Sequence, residues 1–507
     1  MLDFVQDKNR RRLRLSRSGR YVAQRRAMKS LHIRTADHIT HAVPPRLDSI
    51  TTYVLLEQEM WFEKELNFLR HWLRPGMNAI DIGANLGVYA LPMARWVGPE
   101  GRVFAYEPGS EARGLLEESR GINGAANLEI LALALSDRER EGRLMWGGSS
   151  ELNALGDGGK GEAVAIGTLD TENSRRGWRP PDFVKIDAEG EEERILSGGR
   201  EFFSCHSPLV MFEVKAGATV NQKLLSALPA MDYRLFKLIA GAPILVPLDP
   251  GVPLDPFELN LFAAKPDRIS SIRDAGFLVE EIPDWQPDAS AVGLGLSMLR
   301  EQPFAGMFGH LLNDAGTIDR DYSAALAAIA AWRSENLPAR IRCGALYFAY
   351  RTLAALCNRA PTTARYSTFA RLAWEGGWRG ECVVALEQMA AYIQRVPFQP
   401  IEPCWPPSAR FDKISAANDP AHWFATAVAE QLERARSFST YFAGASPALT
   451  WLCNQHNASP EMHRRKTLLM AKTRTIAVVP ACLQRDALDN LNAEVWRLGL
   501  VPGTRLA

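Results

Sequence analysis

Asn78-Ala-Ile-Asp-Ile-Gly-Ala-Asn-Leu-Gly87 decides the reading of the fold. Asn78 to Ile82 is short and apolar, Gly83 and Gly87 punctuate a turn, and Val88 to Val97 has helical spacing. Strand, glycine turn and helix in that order form the opening unit of an α/β sheet. Upstream, Leu56, Met60, Leu66 and Leu69 lie at helical spacing, and Arg74-Pro75-Gly76 follows, so one helix is predicted over Tyr53 to Trp72. Downstream come strand-like Val103 to Tyr106, helical Glu111 to Arg120 and an apolar run from Leu128 to Leu133. The alternation continues through Phe183 to Ile186, Glu191 to Phe203, Leu209 to Val214 and Asn221 to Leu228. It closes with Tyr233 to Leu238 and Glu258 to Ala264, expected to pair antiparallel. The expectation is a doubly wound, mostly parallel sheet with helices on both faces.

The chain is 507 residues long, too long for one ordinary core, and its 47% apolar and 23% charged residues leave whole-chain disorder or a collagen-like repeat without support. Four segments are expected: a basic arm (1–49), the α/β domain (50–270), a proline-containing connector (271–315) and an all-helical domain (316–507). The helical domain is read from Ala, Leu, Arg and Trp at helical spacing in Tyr322–Trp332, Ala339–Cys357, Thr363–Trp374, Glu381–Ile393, Trp423–Phe442 and Met462–Met470. Tyr366 to Arg395, broken at Gly376-Gly377, weakly resembles a tetratricopeptide hairpin.

Net charge is only +1, but Met1 to Arg34 holds eleven Lys or Arg against Asp3 and Asp7, so this arm carries +9 and the other 473 residues −8. A basic arm on an acidic body is either a solvated tail or a contact for nucleic-acid phosphates or an anionic membrane surface. The seven cysteines show no Cys-x-x-Cys pair, so neither a disulfide framework nor a zinc site is indicated. No apolar stretch reaches the roughly 18 residues of a membrane-spanning helix, and no apolar segment follows the positive amino terminus; the cytoplasm is the expected compartment.

The chemistry is read from the same glycine turn. Glycines let the backbone turn sharply and a ligand approach closely, and the next helix offers unpaired amides; a tight turn with no ligand is the competing reading. Asp81 discriminates. A pyrophosphate disfavours a carboxylate there, whereas S-adenosylmethionine carries a sulfonium and an ammonium that a carboxylate suits. Glu107 ends the second strand twenty positions after Gly87, the offset at which an acid accepts ribose hydroxyls.

These residues resemble the FkbM-type S-adenosylmethionine-dependent methyltransferases. The resemblance rests on five ordered stretches: Ile80-Asp-Ile-Gly-Ala-Asn-Leu-Gly87, Phe104-Ala-Tyr-Glu-Pro108, Ala134-Leu-Ser-Asp137, Thr168-Leu-Asp170 and Phe183-Val-Lys-Ile-Asp-Ala-Glu-Gly190. It covers roughly residues 50 to 270 and implies a seven-strand class I (Rossmann-like) domain that methylates, in many relatives, a hydroxyl of a sugar or natural product. Ala188 stands where valine is common, and Glu191-Glu192 where Ala-Glu is common. By position, the resemblance assigns Asp81, Gly83, Asn85 and Gly87 to the methionine end of the cofactor and Glu107 to its ribose. It assigns Asp137 either to the adenine side or to a turn cap.

Asp187, Glu189 and Glu213 follow or end the next two strands, where sites of open α/β sheets lie. They are candidates for a general base on the acceptor hydroxyl, for divalent-cation ligands, or, for the first two, for caps of the following helix. Lys185 is expected to orient Asp187 by a salt bridge. No metal spacing unites the nine histidines; His38 and His41 are close enough in sequence to cover the cofactor. The leading expectation is an O-methyltransferase acting on a glycan, lipopolysaccharide or natural product, with specificity in the loops after the fourth and fifth strands, in Gly147 to Ala163 or on the helical domain, which could also dock a protein partner. One alternative is a nucleic-acid methyltransferase using the arm, against which stand the acidic body and Lys185-Ile-Asp-Ala-Glu-Gly190 where a base-methylating motif would fall. Another is an inert scaffold, against which stand intact Asp81, Gly83, Gly87 and Glu107.

Overall fold

The computed structural model describes residues 29–506 except 157–160, 217–218, 314–315, 317, 417–418, 445 and 474–475. Most of the basic arm therefore lies outside the described residues. Its last part is packed: β1 (Leu31–Arg34) and β2 (Thr40–Val43) form an antiparallel hairpin whose Leu31, Ile33, Ala42 and Val43 are buried.

Two helices occupy the stretch where one was expected, α1 (Ile50–Gln58) and α2 (Glu65–Trp72). The break is at Glu59, which adopts a left-handed φ of 58° while its buried carboxylate accepts the backbone amides of Leu491 and Asn492, both at 2.9 Å. A helical spacing of apolar residues cannot reveal a partner over 400 positions away.

Then follow β3 (Asn78–Ile82), α3 (Ala90–Val97), β4 (Arg102–Tyr106), α4 (Ser110–Asn123) and β5 (Leu128–Leu131). A small four-stranded sheet comes next, built from β6 (Ala134–Leu135), β7 (Arg140–Met145), β8 (Ala154–Gly156) and β9 (Gly161–Gly167). The chain returns through α5 (Leu169–Arg176), capped by Thr168, to β10 (Phe183–Ile186). The predicted helix after it is also two, α6 (Glu192–Ser197) and α7 (Arg200–Cys205), interrupted at Gly198-Gly199, where the carbonyl of Ser136 and the side chain of Leu169 leave no room for a Cβ. β11 (Leu209–Glu213), the short pair β12 (Lys215–Ala216) and β13 (Thr219–Val220), α8 (Gln222–Ala227), β14 (Arg234–Ile239), β15 (Ile244–Pro247) and β16 (Asn260–Ala264) complete this part.

The main sheet runs β15-β14-β16-β11-β10-β3-β4-β5. Numbered by the seven expected strands, this is the order 3-2-1-4-5-7-6, with β16 reversed between β11 and β14 and β15 added at the edge. The expected antiparallel pair of last strands is β14 with β16. β3 and β10 are buried along their whole length, which is why they do not alternate; the polar residues within them, Asn78, Asp81 and Lys185, are buried too. β5, β4 and β3 lie in one direction of winding and β10 and β11 in the other, so the order reverses between β3 and β10.

The connector is not structureless. α9 (Pro266–Asp274) runs into it and it holds α10 (Ala289–Arg300), and Leu296, Leu299, Phe304 and Phe308 join the core of the helical half. That core continues in α11 (Arg320–Arg333), α12 (Ala339–Arg359), α13 (Thr363–Gly376), α14 (Arg379–Ile393) and α15 (Pro420–Ala435). It also takes in Ile239, Ala242, Ile244 and Val246 of the sheet edge, so the extra strand β15 is the seat of the helical half. The predicted Trp423–Phe442 helix ends at Ala435 and is followed by α16 (Thr440–Ala443).

Beyond it, α17 (Pro447–Leu452), α18 (Pro460–Lys472) and α19 (Ala493–Arg497) do not extend the helical core. Leu468, Val495, Trp496 and Val501 instead share a separate core with the β1–β2 hairpin and with Tyr53, Leu55 and Leu56 of α1. No helix among the described residues is long and apolar enough to cross a membrane. All seven cysteines are free thiols, with Cys205 exposed and Cys343, Cys357, Cys382 and Cys404 buried.

Candidate active site

A cavity of about 340 Å³ opens at the carboxyl ends of β3, β4, β10 and β11, at the point where the strand order reverses. This is where ligands of open α/β sheets bind, and the volume falls in the roughly 300–1,000 Å³ range of small-molecule sites. Asp81, Gly83, Asn85, Glu107, Asp187, Glu189 and Glu213 all line it. Gly87 and Asp137 do not. Gly87, at φ 79°, accommodates Leu116, against which a Cβ would lie 2.3 Å away. Asp137 is exposed and takes only the hydroxyl of its neighbour Ser136, at 3.3 Å.

The turn after β3 is built for the protein before any ligand. Gly83 has φ 81°, and a Cβ there would stand 1.8 Å from the carbonyl oxygen of Asp187. The missing side chain thus lets the loops after β3 and β10 touch. Its amide and that of Ala84 donate to the carbonyl of Tyr106, at 3.1 and 3.0 Å, tying the loop to β4. Asn85, in the left-handed region at φ 45°, directs its amide to Glu107 Oε2 at 2.8 Å, and Gly109 directs its own to Oε1 at 2.7 Å. Each oxygen of Glu107 accepts one amide and so keeps further acceptor capacity, and the residue lines the cavity. Burial pushes this carboxyl up to about 7, while the Gly109 and Asn85 amides pull it down.

Asp81 is 1% exposed, and neither of its oxygens accepts a hydrogen bond; the Oδ1 of Asn85 is likewise buried and without one. Burial raises Asp81 to about 6, opposed by Lys185 and reinforced by Asp187 and Glu63. Asp81 and Lys185 are register partners on adjacent strands, 3.9 Å apart, and the lysine donates to Asp187 Oδ2 at 2.7 Å, the salt bridge expected of it. Neither Asp187 nor Glu189 caps α6: its first residue, Glu192, reaches back to accept the amides of Ala188 and Gly190 at 3.0 and 3.1 Å. Glu189 sits exposed on that turn at φ 49°. Burial first, and then the charges of Asp187, Glu189, Glu192 and Glu63, push Glu213 up to about 9.

Several lining groups carry no sequence motif. Glu63, between α1 and α2, is bonded by Trp61 Nε1 at 2.8 Å, Asn260 Nδ2 at 2.9 Å and the hydroxyl of Tyr89. Ser150 to Asn153, inside the Gly147–Ala163 stretch, form one wall, and Phe438 and Phe442 of the helical half another. Neither His38 nor His41 lines the cavity. His38 is exposed, and His41 faces a neighbouring cavity, its imidazole lowered to about 4 by burial. Among the described residues no group of three or more His, Cys, Asp or Glu side chains is disposed to hold a metal ion.

These groups fit S-adenosylmethionine. Asp81 and Asn85 present buried oxygens that lack donors, Glu107 presents a buried carboxylate whose oxygens each hold one backbone amide, and the cofactor brings an ammonium, a sulfonium and ribose hydroxyls. Strand order, acids ending or flanking the first two strands, and a cavity at the reversal point define a class I methyltransferase domain. Within that class, residues 81–235 match the family model described as Methyltransferase FkbM domain. No curated protein matches the chain.

Among solved structures, the chain is similar to methyltransferase FkbM from Methylobacillus flagellatus, at 17% identity over 37% of this chain and 43% of that one, TM-score 0.27. It is also similar to a SAM-dependent methyltransferase from Aquifex aeolicus (14%, 43% and 93%, TM-score 0.25) and to an O-methyltransferase from Bacillus cereus in complex with SAH (13%, 43% and 81%, TM-score 0.24). The similarity therefore spans less than half of the Methylobacillus chain. At TM-scores below 0.5 the fold class rests on the strand order itself.

Proposed function

We propose that the chain transfers the methyl group of S-adenosylmethionine to a hydroxyl oxygen, and that the hydroxyl belongs to a sugar of a glycan, lipopolysaccharide or natural product. The observation that carries the reading is one cavity with two chemically different ends. Asp81, Asn85 and Glu107 present oxygen acceptors on one side; on the other Lys185, which also lies 3.9 Å from Asp81, holds Asp187, and Glu63 and Glu213 line the wall beside it. The resemblance to FkbM-type enzymes supports the hydroxyl acceptor.

When bound, the cofactor supplies an electrophilic methyl on a sulfonium. Asp81 would face its positive end, Glu107 its ribose hydroxyls, and the apolar wall of Leu133, Leu135 and Leu144 its base. The work left to the protein is alignment and handling of one proton. Asp187, oriented by Lys185, would accept the proton of the acceptor hydroxyl, a step that contributes about 10²–10⁴-fold. Glu213, raised to about 9 by burial and neighbouring carboxylates, is protonated at neutral pH and can donate a hydrogen bond to the acceptor. Phe438 and Phe442 would help to exclude water from the transfer.

The test is incubation of the purified chain with methyl-labelled S-adenosylmethionine and fractionated cell extract, followed by identification of the labelled molecule. Base-stable label on a sugar oxygen is the expected result. Label on nitrogen, on nucleic acid, or no transfer by a chain that nevertheless binds S-adenosylhomocysteine would each refute the hydroxyl assignment.

A further inference from the structure

Two further cavities adjoin the cofactor cavity where the sheet meets the helical half. One measures about 520 Å³ and the other about 170 Å³, and Phe62, Glu63 and Phe438 line all three. Arg379, the first residue of α14, lines both of the additional cavities and not the cofactor cavity. Its guanidinium is placed with care: Nε donates to the carbonyl of Ala435 at 2.8 Å and Nη2 to that of Arg434 at 3.1 Å. Its carbon centre lies 4.4 Å from the ring centroid of Phe257, 4.5 Å from Phe438 and 5.3 Å from Trp374.

What it lacks is a direct ion pair. Among the described residues no carboxylate stands within 4 Å of it, although its neighbours are paired: Arg434 with Glu461 at 2.8 Å, Arg465 with Glu461 at 2.9 Å, and Lys64 with Glu258 at 2.9 Å. Asp255 is near and its charge favours the cation, but its two oxygens are turned to the amides of Phe257 and Gly380 at 2.9 and 2.8 Å and form no ion pair with Arg379. Burial lowers Arg379 to about 10, with Asp255 opposing the shift and Arg465 adding to it. A half-buried cation on an aromatic floor, held through Nε and Nη2 by backbone carbonyls, is complementary to an oxyanion, which a guanidinium binds with directional, charge-assisted hydrogen bonds.

We propose that these cavities hold the methyl acceptor and that Arg379 binds an oxyanion of it, a phosphate or a carboxylate. The helical half is then the acceptor-holding part of the enzyme, with its anionic end at Arg379 and its hydroxyl reaching past Phe62 and Glu63 towards Asp187. This rests on the methyl-transfer reading above, and it narrows the acceptor to a hydroxyl compound that also carries negative charge.

The test uses calorimetry on the full chain saturated with S-adenosylhomocysteine, titrated with inorganic pyrophosphate and, separately, with glucuronate. One of the two is expected to bind, identifying phosphate or carboxylate, and Arg379→Gln is expected to weaken it by about tenfold or more while leaving S-adenosylhomocysteine affinity unchanged. Neither anion binding, or equal binding by the variant, overturns the proposal and leaves the methyltransferase reading intact; loss of S-adenosylhomocysteine binding by the unaltered chain overturns that reading instead. Should Arg379→Gln fail to fold, hydrogen exchange of the unaltered chain decides. Pyrophosphate or glucuronate should slow exchange in residues 374–382 and 434–438, whereas protection confined to residues 1–34 would place the anion on the basic arm and defeat the proposal.

Discussion

Asp81 and Glu107 are carboxylates whose raised values set the pH dependence of cofactor binding. Burial lifts them to about 6 and 7, so both take up protons as the pH falls through that range. A cationic ligand and a pair of hydroxyl donors both favour the ionised forms. Affinity for S-adenosylmethionine should therefore rise from pH 5 to about 7 and then level off, and binding at pH 6 should release protons. Calorimetry in two buffers of different ionisation enthalpy reads the sign directly; proton uptake would contradict the assignment. Replacing Glu107 by Gln should weaken S-adenosylhomocysteine by about 10–100-fold, since a charge-assisted hydrogen bond contributes about 1.5–3 kcal/mol. Asp187→Asn should leave that affinity unchanged and lower kcat by about 100-fold or more. If it shifts KM alone, Asp187 positions the acceptor and moves no proton. The acids named by motif, Asp81 and Glu107, were legible because a strand end and a fixed offset mark them. Glu63 was not: its place depends on Trp61, Tyr89 and Asn260, and no spacing connects the last two to it.

Between residue and molecule, the elements divide by how local their causes are. β3, β4, β10 and β11 are short, mostly apolar and mostly buried segments bounded by turns, and their ranges were readable within one or two residues. Three predicted helices came apart instead, at Glu59, at Gly198-Gly199 and after Ala435, the first two where a distant segment meets the backbone. β15 was missed because Ile244–Pro247 sits in a Pro/Gly-rich stretch and is ordered by pairing with β14 and by the helices packed on it. The loop after β3 offers a sharp test. Gly83→Ala places a Cβ 1.8 Å from the Asp187 carbonyl oxygen, at φ 81°, so it should cost more than about 4 kcal/mol and abolish cofactor binding. Gly124→Ala, at φ 62° with nothing within 4 Å, should cost only about 1–2 kcal/mol. Denaturant midpoints of the two variants compare a clash with a purely conformational penalty.

For the whole molecule, the decisive feature is the return of the carboxyl-terminal segment to the amino-terminal hairpin. Glu57, fully buried, accepts the Thr440 amide at 3.1 Å and pairs with Arg465 at 3.5 Å. Asn492 exchanges hydrogen bonds with both the amide and the carbonyl of Arg34, at 2.8 and 2.9 Å. Trp496, also fully buried, fills the core between them. Trp496→Ala should destabilise the chain by about 3–5 kcal/mol. Because that core includes Leu86 of the cofactor loop, S-adenosylhomocysteine binding and the far-ultraviolet signal should be lost together in urea. A first transition that spares binding would show that the segment is a separate unit. By itself the sequence determined the parallel sheet, the turn after β3 and the acids at two strand ends. Each of these depends on residues within about twenty positions, through strand periodicity, turn geometry and offset. Only the tertiary structure decided that α1 ends at Glu59, that the helical half seats on an added edge strand, and that Glu63, Phe438 and Arg379 meet beside the cofactor cavity. Those outcomes are settled by burial and by hydrogen bonds between segments hundreds of residues apart, which local pattern does not encode.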